Sequence, residues 1–597
     1  MSHSNLYSQV NVLIAVLSVF GVISFSLFCS ESMAGKGLTL VINVIVTGLV
    51  AASVFFIFIT RVISTRGYFI FTSTPASRLL LLATVVLSVP LLYTQPQWLN
   101  EAVWRIVGLA LGVGFFFCCL QMRSTHRMVY GVICVLLLLV CVQALVAVLQ
   151  LFVPAWSWVP LYGRRVYGTF LQPNVLASFI ATGLALSLML FLLPGFALAQ
   201  TCHERYRQRA LVLMLALFSA LLVLIQSRAG WLGGIVVALL FLWRFGALSS
   251  KRSLWATSAI LLGALTGIGL LLFADTATSA INHDHSNLAR LSMLRDTLAM
   301  IADKPWSGWG YGGFEYSFQH FRINQTPPTA VTEIARHPHN EILLWISEGG
   351  VVALVGILLL SAAGLRVVLQ VWRYDQNAFA GKARPLAGVP TALCIALLPM
   401  LTHTQLEYPF YLSTLHFVVF LLLLAMADRL SGGVTVRKVF SSTCSALLAG
   451  TVAACTLVVA IVAGFALKGN LAIAQVERFR MVDITPIKTL PALSTWVHRE
   501  RVMFNEQVHG LLAYNHTRDE RQLEAYSQWA QRYLTRRIDK NVYASLIMIL
   551  QHQEQDFAAE HYRRDAARLF PTDVRFHEAA VENTVHEAAP GNDEVSP

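Results

Sequence analysis

The stretch RHPHNEILLWISEGGVVALVGILLL, residues 336–360, joins a polar hexapeptide directly to a long apolar run. Five of the six residues in Arg336–Glu341 are polar or ionisable, and the apolar run continues to Leu365. A helix of this length is sufficient to cross about 30 Å of hydrocarbon. Because ionisable side chains are costly at such a boundary, they indicate a functional site. Capping of a helix at the water interface is the plainer alternative.

The composition of the whole chain is that of a membrane protein. Of its 597 residues, 56% are hydrophobic and only 13% are charged, whereas soluble domains average about 25% charged residues. The mean hydropathy is +0.61. The net charge of +12 does not indicate a nucleic-acid partner, because the basic residues concentrate in short loops between apolar runs. We therefore predict an all-α polytopic protein embedded in a lipid bilayer.

The apolar runs predict about 13 transmembrane helices, within a range of about 12–14. They lie near residues 11–30, 38–60, 78–94, 102–122, 128–153, 174–198, 210–225, 231–248, 254–273, 341–365, 386–402, 408–427 and 441–467. Alternate loops between these runs are rich in arginine and lysine, and such loops remain in the cytoplasm. The N-terminus is therefore predicted to be cytoplasmic, and the segment after residue 467 to lie on the opposite side.

Most of the conspicuous polar side chains fall in the loops assigned to that opposite side. They are Arg164-Arg165 with Gln172-Pro173-Asn174, Gln226-Ser227-Arg228, Arg290 and Arg295 in the loop 274–340, the hexapeptide Arg336–Glu341, and His403 with Glu407-Tyr408. Any one of these elements, taken by itself, could be an ordinary solvated loop, since long cationic side chains commonly snorkel to an interface. A single face that collects arginines, histidines and amides predicts a site for an anionic substrate.

Three regions are predicted beside the spans. The loop 274–340 is too long to serve only as a connection, and residues 287–296 read as a short amphipathic helix that presents Arg290 and Arg295 to the site or to lipid phosphates. Residues 468–583 form a polar helical domain, in which 539–571 resembles one tetratricopeptide unit, although an ordinary helical cap fits as well. Residues 584–597 are acidic and predicted to be disordered. The nine cysteines avoid both the loop and the tail, so we expect neither a disulfide framework nor a thiolate metal site.

An ordered set of motifs resembles the O-antigen ligase superfamily. The set comprises Tyr167-Gly-Thr-Phe-Leu-Gln172-Pro-Asn174, Ser227-Arg228-Ala-Gly, Arg290-Leu-Ser-Met, Gly308-Trp-Gly-Tyr-Gly and His337-Pro-His339-Asn340-Glu341. The sequence His403-Thr-Gln-Leu-Glu407-Tyr408-Pro and the helical tail look like its branch of PglL-type bacterial protein O-oligosaccharyltransferases. The resemblance runs from about Tyr162 to Phe570.

The resemblance implies a transfer reaction at the periplasmic face of a bacterial inner membrane. A glycan would leave undecaprenyl-pyrophosphate en bloc and join a serine or threonine hydroxyl of an exported protein such as a pilin. The family inverts the anomeric centre and uses no cofactor, nucleotide sugar or required metal. The helical tail would then be a periplasmic domain.

The resemblance also implies roles for individual residues. A diphosphate is already a good leaving group, so catalysis needs stabilisation of its charge and a base for the attacking hydroxyl. Arg228 and Arg290 would bind the pyrophosphate, with Arg165 as a third candidate. His339 would be the general base, with His337 as the alternative, and Glu407 would orient a histidine or hold the acceptor. The residues that would position the substrate are Gln172, Asn174, His403 and Tyr408.

Several alternatives stay open at this level. His337, His339 and Glu341 could together bind zinc, and Glu407 could act as a covalent nucleophile. A ligase joining O-antigen to lipid A-core shares the donor and the chemistry, as does a repeat-unit polymerase. A transporter of lipid-linked glycan would perform no chemistry, although no internal repeat of the kind common in transporters is visible.

Overall fold

The computed structural model of the chain describes residues 37–64, 69–122, 125–163, 165–273, 284–380, 386–432 and 436–577. The first predicted span, 11–30, and the predicted disordered tail, 584–597, lie outside those residues. The helices in chain order are α1 (Val41–Ser64), α2 (Pro75–Ser88), α3 (Leu99–Leu120), α4 (His126–Phe152), α5 (Pro173–Leu192), α6 (Thr201–Leu224), α7 (Arg228–Phe245), α8 (Ser250–Phe273), α9 (Asp284–Asp303), α10 (Phe314–Asn324), α11 (Glu341–Ala380), α12 (Val389–Thr404), α13 (Pro409–Leu412), α14 (Thr414–Leu430), α15 (Ser442–Arg478), α16 (Thr485–Lys488), α17 (Ala492–Val497), α18 (Arg499–Thr517), α19 (Glu520–Leu534), α20 (Lys540–His552) and α21 (Asp556–Leu569).

The predicted class, an all-α polytopic membrane protein, is confirmed. Every predicted run from 38–60 onward coincides with a helix. Within the described ranges, 10 helices are long and apolar enough to cross a membrane, namely α1 to α8, α11 and α15. This count is lower than the predicted number of about 13 because α12 and α14 have only 16 and 17 residues and the first run is not described.

One small sheet departs from the all-helical prediction. Strand β1 (Phe69–Ser73) pairs antiparallel with β2 (Val436–Phe440), and these strands come from two loops that the charge pattern assigns to one side of the membrane. Gln121 reinforces the sheet, because its Oε1 accepts from Thr72 N and its Nε2 donates to Thr72 O, both at 2.9 Å. Backbone segments can pair only on the same side of a bilayer, so the pairing agrees with that assignment.

Helix α5 is the centre of the membrane-spanning bundle. Every residue from Val175 to Leu192 is buried, as expected for a helix that is apolar on all sides. The start of α7 packs closely against it, since a Cβ on Gly230 would lie 2.5 Å from the Cβ of Ala177. Glycine at this position therefore permits the approach that brings the N-terminal ends of α5 and α7 together.

Helix α11 is interrupted at Gly350, where φ is 61° and ψ is −150°. A glycine-rich turn docks on the interruption, with Gly310 N donating to Glu348 O at 2.8 Å. The Glu348 carboxylate accepts from the backbone N–H groups of Gly312 and Phe314 at 3.0 and 3.1 Å, and it forms an ion pair with Arg105 from α3. The turn at residues 308–314 is thus fixed to α11 by a carboxylate within the apolar run.

The chain divides into two compact units. The first contains residues 1–314 and 336–517, and the second contains residues 315–335 and 518–597. The predicted domain boundary at residue 468 differs from this division because it falls inside α15. The composition becomes polar near residue 468, yet the helical hydrogen bonding continues to Arg478, and α16 to α18 belong to the first unit.

The second unit combines a loop segment with the C-terminal helices. Glu315 is buried, forms an ion pair with Arg537 at 3.1 Å, and accepts from Ile538 N at 3.0 Å. His320 Nε2 lies 3.4 Å from Asp565 Oδ2. The predicted helix pair at 539–571 corresponds to α20 and α21, and its assignment to a tetratricopeptide unit stays a prediction.

Candidate active site

Glu407 is the centre of a polar cluster within the first unit. Its side chain is buried, and the residue is only 4% exposed. Oε1 accepts from Asn174 Nδ2 at 2.6 Å and lies 3.5 Å from Arg290 Nη2. Oε2 accepts from Gln172 Nε2 at 3.2 Å and from His403 Nε2 at 3.2 Å. Three hydrogen bonds and one ion pair therefore surround a single carboxylate.

The local fold explains why these side chains meet. Gln172 is the N-cap residue of α5 and precedes Pro173 at the first helical position. Its side chain makes no capping hydrogen bond and instead reaches Glu407. His403 lies in the last turn of α12, four residues before Glu407, and residues at this spacing share one side of a helical turn. The cluster is thus built where α5 begins and α12 ends.

The ionisation of Glu407 follows from these partners. Burial would raise the pKa of its carboxyl group, but the hydrogen bond and charge of His403 and the hydrogen bond from Asn174 outweigh burial and bring the pKa to about 2. Glu407 is therefore a carboxylate at neutral pH, and a carboxylate can only accept hydrogen bonds.

Three arginines form what we call the arginine cluster: Arg165, Arg228 and Arg290. Arg165 and Arg290 interact with this carboxylate, and the charge of Arg228 acts on Arg165. Arg165 Nη2 donates to Asn174 Oδ1 at 2.9 Å and to Gln226 O at 3.1 Å. Burial lowers the pKa of Arg165, Glu407 opposes this, and the like charges of Arg290 and Arg228 lower it further. Arginine remains charged in spite of such shifts, so the cluster concentrates positive charge.

The helix α9 brings Arg290 to the site and leaves the neighbouring Arg295 outside it. Arg228 begins α7 and donates to Asn287 Oδ1 of α9, which connects these two helices. Arg295 has a side chain that is 69% exposed and lies 3.1 Å from the adjacent Asp296. Of the two predicted directions, the site or lipid phosphates, only Arg290 takes the first, because five residues along a helix rotate a side chain away from the direction of Arg290. Contact of Arg295 with lipid phosphates stays a prediction.

The two histidines of the hexapeptide differ in their environment. His337 Nδ1 accepts from the backbone N–H of His339 at 3.1 Å, and its ring lies 3.5 Å from the Tyr408 ring, centroid to centroid. Burial and the nearby His339 lower the pKa of His337 to about 3. His337 is therefore neutral at pH 7 and carries its proton on Nε2, because Nδ1 is occupied as an acceptor. Burial also raises the pKa of Tyr408, so its phenol stays protonated.

Strained backbone accompanies these side chains. Leu171, Gln226 and His339 have φ values of 59°, 55° and 52°, in the left-handed region that residues other than glycine rarely adopt. The first two directly precede Gln172 and the Ser227-Arg228 pair. Strain of this kind is kept where the surrounding structure fixes a functional group. Regular helix begins directly after His339, since Asn340 Oδ1 caps α11 by accepting from Leu343 N at 3.0 Å.

The structure brings all ten predicted site residues into this one cluster. They are Arg165, Gln172, Asn174, Arg228, Arg290, His337, His339, His403, Glu407 and Tyr408. Their roles stay predictions. In the part of the chain that is described, no group of three or more His, Cys, Asp or Glu side chains is arranged to hold a metal ion.

Sequence reasoning missed two polar residues behind the cluster. Ser178 Oγ lies 2.9 Å from His403 Nδ1 and 3.2 Å from His416 Nε2, and all three residues are fully buried. His416 was visible as an ionisable residue inside the apolar run 408–427, and such residues signal function. Ser178 offered no comparable signal, because a serine is common in apolar helices.

Two family models match separate parts of the chain. Residues 213–358 match a family described as O-antigen ligase, and residues 391–584 match one described as the C-terminal part of a virulence factor membrane-bound polymerase. The first match contains Arg228, Arg290 and His339, and the second contains His403 and Glu407.

A curated relative supports the same grouping. The chain is 23% identical over 300 residues to the general O-oligosaccharyltransferase of Acinetobacter baylyi, and the alignment covers 47% of this chain and 48% of the relative. The matched part thus spans about half the length of that relative. Together with the two family matches, this similarity supports membership of the chain in the O-antigen ligase superfamily.

Proposed function

We propose that this protein is a glycosyltransferase that moves a glycan en bloc from undecaprenyl-pyrophosphate to a serine or threonine hydroxyl of an exported protein such as a pilin. The observation that carries the proposal is the convergence of the arginine cluster and His339 around the buried carboxylate of Glu407. The reaction would take place at the periplasmic face of the inner membrane.

The arginine cluster suits a diphosphate leaving group. Arg290 and Arg165 share the Glu407 carboxylate, and Arg228 lies near enough to Arg165 to repel it, so positive charge remains in excess before a substrate binds. Guanidinium forks match phosphate oxygens in pairs of parallel hydrogen bonds. Negative charge grows on the diphosphate as the bond to the sugar breaks, and fixed cations at that position stabilise the transition state.

His339 is the residue that we assign as general base. The hydroxyl oxygen of the acceptor attacks the anomeric carbon and forms the new bond, its proton passes to His339, and the bonding electrons leave with the diphosphate. His337 is less suited to this role because its Nε2 already carries a proton and its pKa lies near 3. Its Nε2–H group is instead available as a donor.

Glu407 is better suited to holding charges than to reacting. Each of its oxygens already has two partners, which leaves no lone pair directed at a sugar. A covalent mechanism would need a carboxylate open to the anomeric carbon. We therefore assign Glu407 to orienting Arg290, Asn174 and His403.

A reconstituted transfer assay tests the proposal. Purified protein is incubated with a lipid-linked glycan and a serine-containing pilin, and the product is identified by mass spectrometry. The expected result is glycosylated pilin, with transfer reduced in Arg228→Ala and Arg290→Ala through a raised KM for the donor. Arg295→Ala is the matched control, because its side chain is outside the cluster.

The same assay separates the alternatives. The match to the O-antigen ligase family favours a lipid A-core acceptor as the second candidate, and glycan appearing only on lipid A-core would establish it. A transporter would give no covalent product with either acceptor. Unchanged donor KM in both arginine variants would contradict the assignment of the arginine cluster.

A further inference from the structure

A chain of buried hydrogen bonds leads from Glu407 into the centre of the bundle. His403 Nε2 lies 3.2 Å from Glu407 Oε2, and His403 Nδ1 lies 2.9 Å from Ser178 Oγ. Ser178 Oγ is 3.2 Å from His416 Nε2, and His416 Nδ1 is 3.0 Å from Ser413 Oγ. We call His403, Ser178, His416 and Ser413 the relay. All of its members are buried.

The chemistry of the acceptors fixes the direction of these hydrogen bonds. A carboxylate cannot donate, so His403 Nε2 carries a proton that points at Glu407. With neutral imidazoles, Ser413 donates to His416, His416 donates to Ser178, and Ser178 donates to His403. Ser178 Oγ also lies 3.1 Å from Val175 O, so the Ser178 proton has a second acceptor. In both arrangements His403 donates to Glu407.

The surroundings of the relay make these hydrogen bonds obligatory. The ring of His416 lies 5.2 Å from the rings of Phe170 and Phe179, centroid to centroid, and the residue is 0% exposed. A polar group in such a site has no water to replace a lost partner, and leaving it unpaired is costly. The ring of His416 therefore has a fixed orientation, and through Ser178 it fixes that of His403.

We propose that Ser178 and His416 are positioning residues, which act through His403 to keep Glu407 directed at Arg290, and thereby prepare the arginine cluster for a lipid diphosphate. This inference rests on the proposed function, because it assigns the diphosphate to the arginine cluster. Neither residue touches the reacting atoms, and the effect on the donor would be transmitted through Glu407 alone.

The proposal predicts a dependence on pH. The charged and titratable groups that face Glu407 are Arg165, Arg290, His337, His339, His403 and Tyr408. Without the relay, the ring of His403 is held less firmly and its hydrogen bond to Glu407 weakens, so the raising effect of burial on the pKa of this carboxyl group is opposed less strongly. Protonation of Glu407 would then need a less acidic pH than in the wild type, and a protonated Glu407 would hold Arg290 less firmly.

The chain offers a matched pair of variants on α5. Ser178 and Ser187 are both 0% exposed, and among the described residues Ser187 Oγ has no hydrogen-bond partner. Ser178→Ala breaks the relay, and Ser187→Ala removes a hydroxyl of the same burial without touching it. Ser178→Thr keeps the hydroxyl and serves as the rescue variant.

The experiment measures binding of farnesyl diphosphate, a sugar-free polyprenyl diphosphate, to the full chain in detergent. The loss of one buried hydrogen bond should weaken binding to Ser178→Ala about tenfold. The loss should be larger at about pH 5.5 than at about pH 7.5, since a Glu407 whose pKa has risen is protonated more at the lower pH. Ser187→Ala should bind as the wild type does, and Ser178→Thr should recover most of the affinity.

The outcomes are distinct. Equal affinities of Ser178→Ala and Ser187→Ala at both pH values would overturn the relay proposal. A second variant, His416→Phe, must weaken binding in the same pH-dependent way, and normal binding by this variant would also overturn it. If the relay variants behave as expected but the wild type transfers no glycan, the proposed function fails while the positioning of a diphosphate site stands.

Discussion

The most demanding test of the site is the replacement of its central carboxylate in Glu407→Gln. The ordinary pKa of a glutamate is 4.5, and that of Glu407 is about 2 in the folded protein. A depression of this size corresponds to about 3 kcal/mol of stability, because one pKa unit is worth about 1.4 kcal/mol. Removing one partner from a buried ion pair costs a similar amount, about 3–5 kcal/mol, and Glu407 is only 4% exposed.

The sign of the pH dependence makes this prediction specific. A group whose pKa is depressed in the folded state contributes its full stability above the ordinary pKa and loses it as the pH falls through the folded value. Glu407→Gln should therefore unfold with about 3 kcal/mol less stability than the wild type at neutral pH. The difference should shrink as the pH falls from 4.5 towards 2.

Denaturant unfolding in detergent micelles, followed across this pH range, measures the difference. The exposed Glu524→Gln is the control and should match the wild type throughout. A variant as stable as the wild type at neutral pH, or a deficit that does not change with pH, would refute the assignment of Glu407 as the ionised centre of the cluster.

Three further predictions address the base, the second unit and the bundle. His339→Ala should lower kcat for glycan transfer by about 10²–10⁴-fold at saturating donor, as loss of a general base does. A normal kcat in this variant would exclude His339 as the general base. Glu315→Arg and Arg537→Glu should each speed proteolysis of the second unit, since each breaks a buried pair, and the double swap should restore resistance. Failure of the swap to rescue would mean that the pair is not stabilising. Gly230→Ala should destabilise the protein by about 1–3 kcal/mol through overpacking, whereas Gly114→Ala meets open space and should have no such effect on thermal unfolding.

Much of the architecture could be predicted from the alternation of basic loops along the sequence. It predicted that the segments containing Arg165, Arg228, Arg290, His339 and Glu407 lie on one side, and the structure brings these segments together. Apolar runs and loop charge are local properties, so a single sequence is sufficient to reveal them.

What the sequence did not reveal depends on distant pairs. Ser178 and His416 are separated by 238 residues, and neither belongs to a motif. Likewise, Glu315 joins Arg537 across 222 residues, so the membership of residues 315–335 in the second unit had no local signature. The change of polarity near residue 468 suggested a boundary that the continuous helix α15 does not follow.

The different positions of Arg290 and Arg295 have another origin. Both Arg290 and Arg295 lie on α9, and the amphipathic pattern made both of them candidates. Periodicity identifies which residues share a helix, but the rotation of that helix against its neighbours is set by tertiary contacts such as that of Asn287 with Arg228. Only the folded structure separates the two arginines.

The anomeric configuration of the transferred sugar tests the proposed mechanism most directly. Nuclear magnetic resonance of glycosylated pilin, made by the purified protein from a lipid-linked donor of known configuration, reports it. A single displacement assisted by His339 and the arginine cluster predicts inversion. Retention of configuration would indicate a covalent intermediate and contradict the mechanism, and the absence of any sugar on the acceptor would contradict the proposed transfer itself.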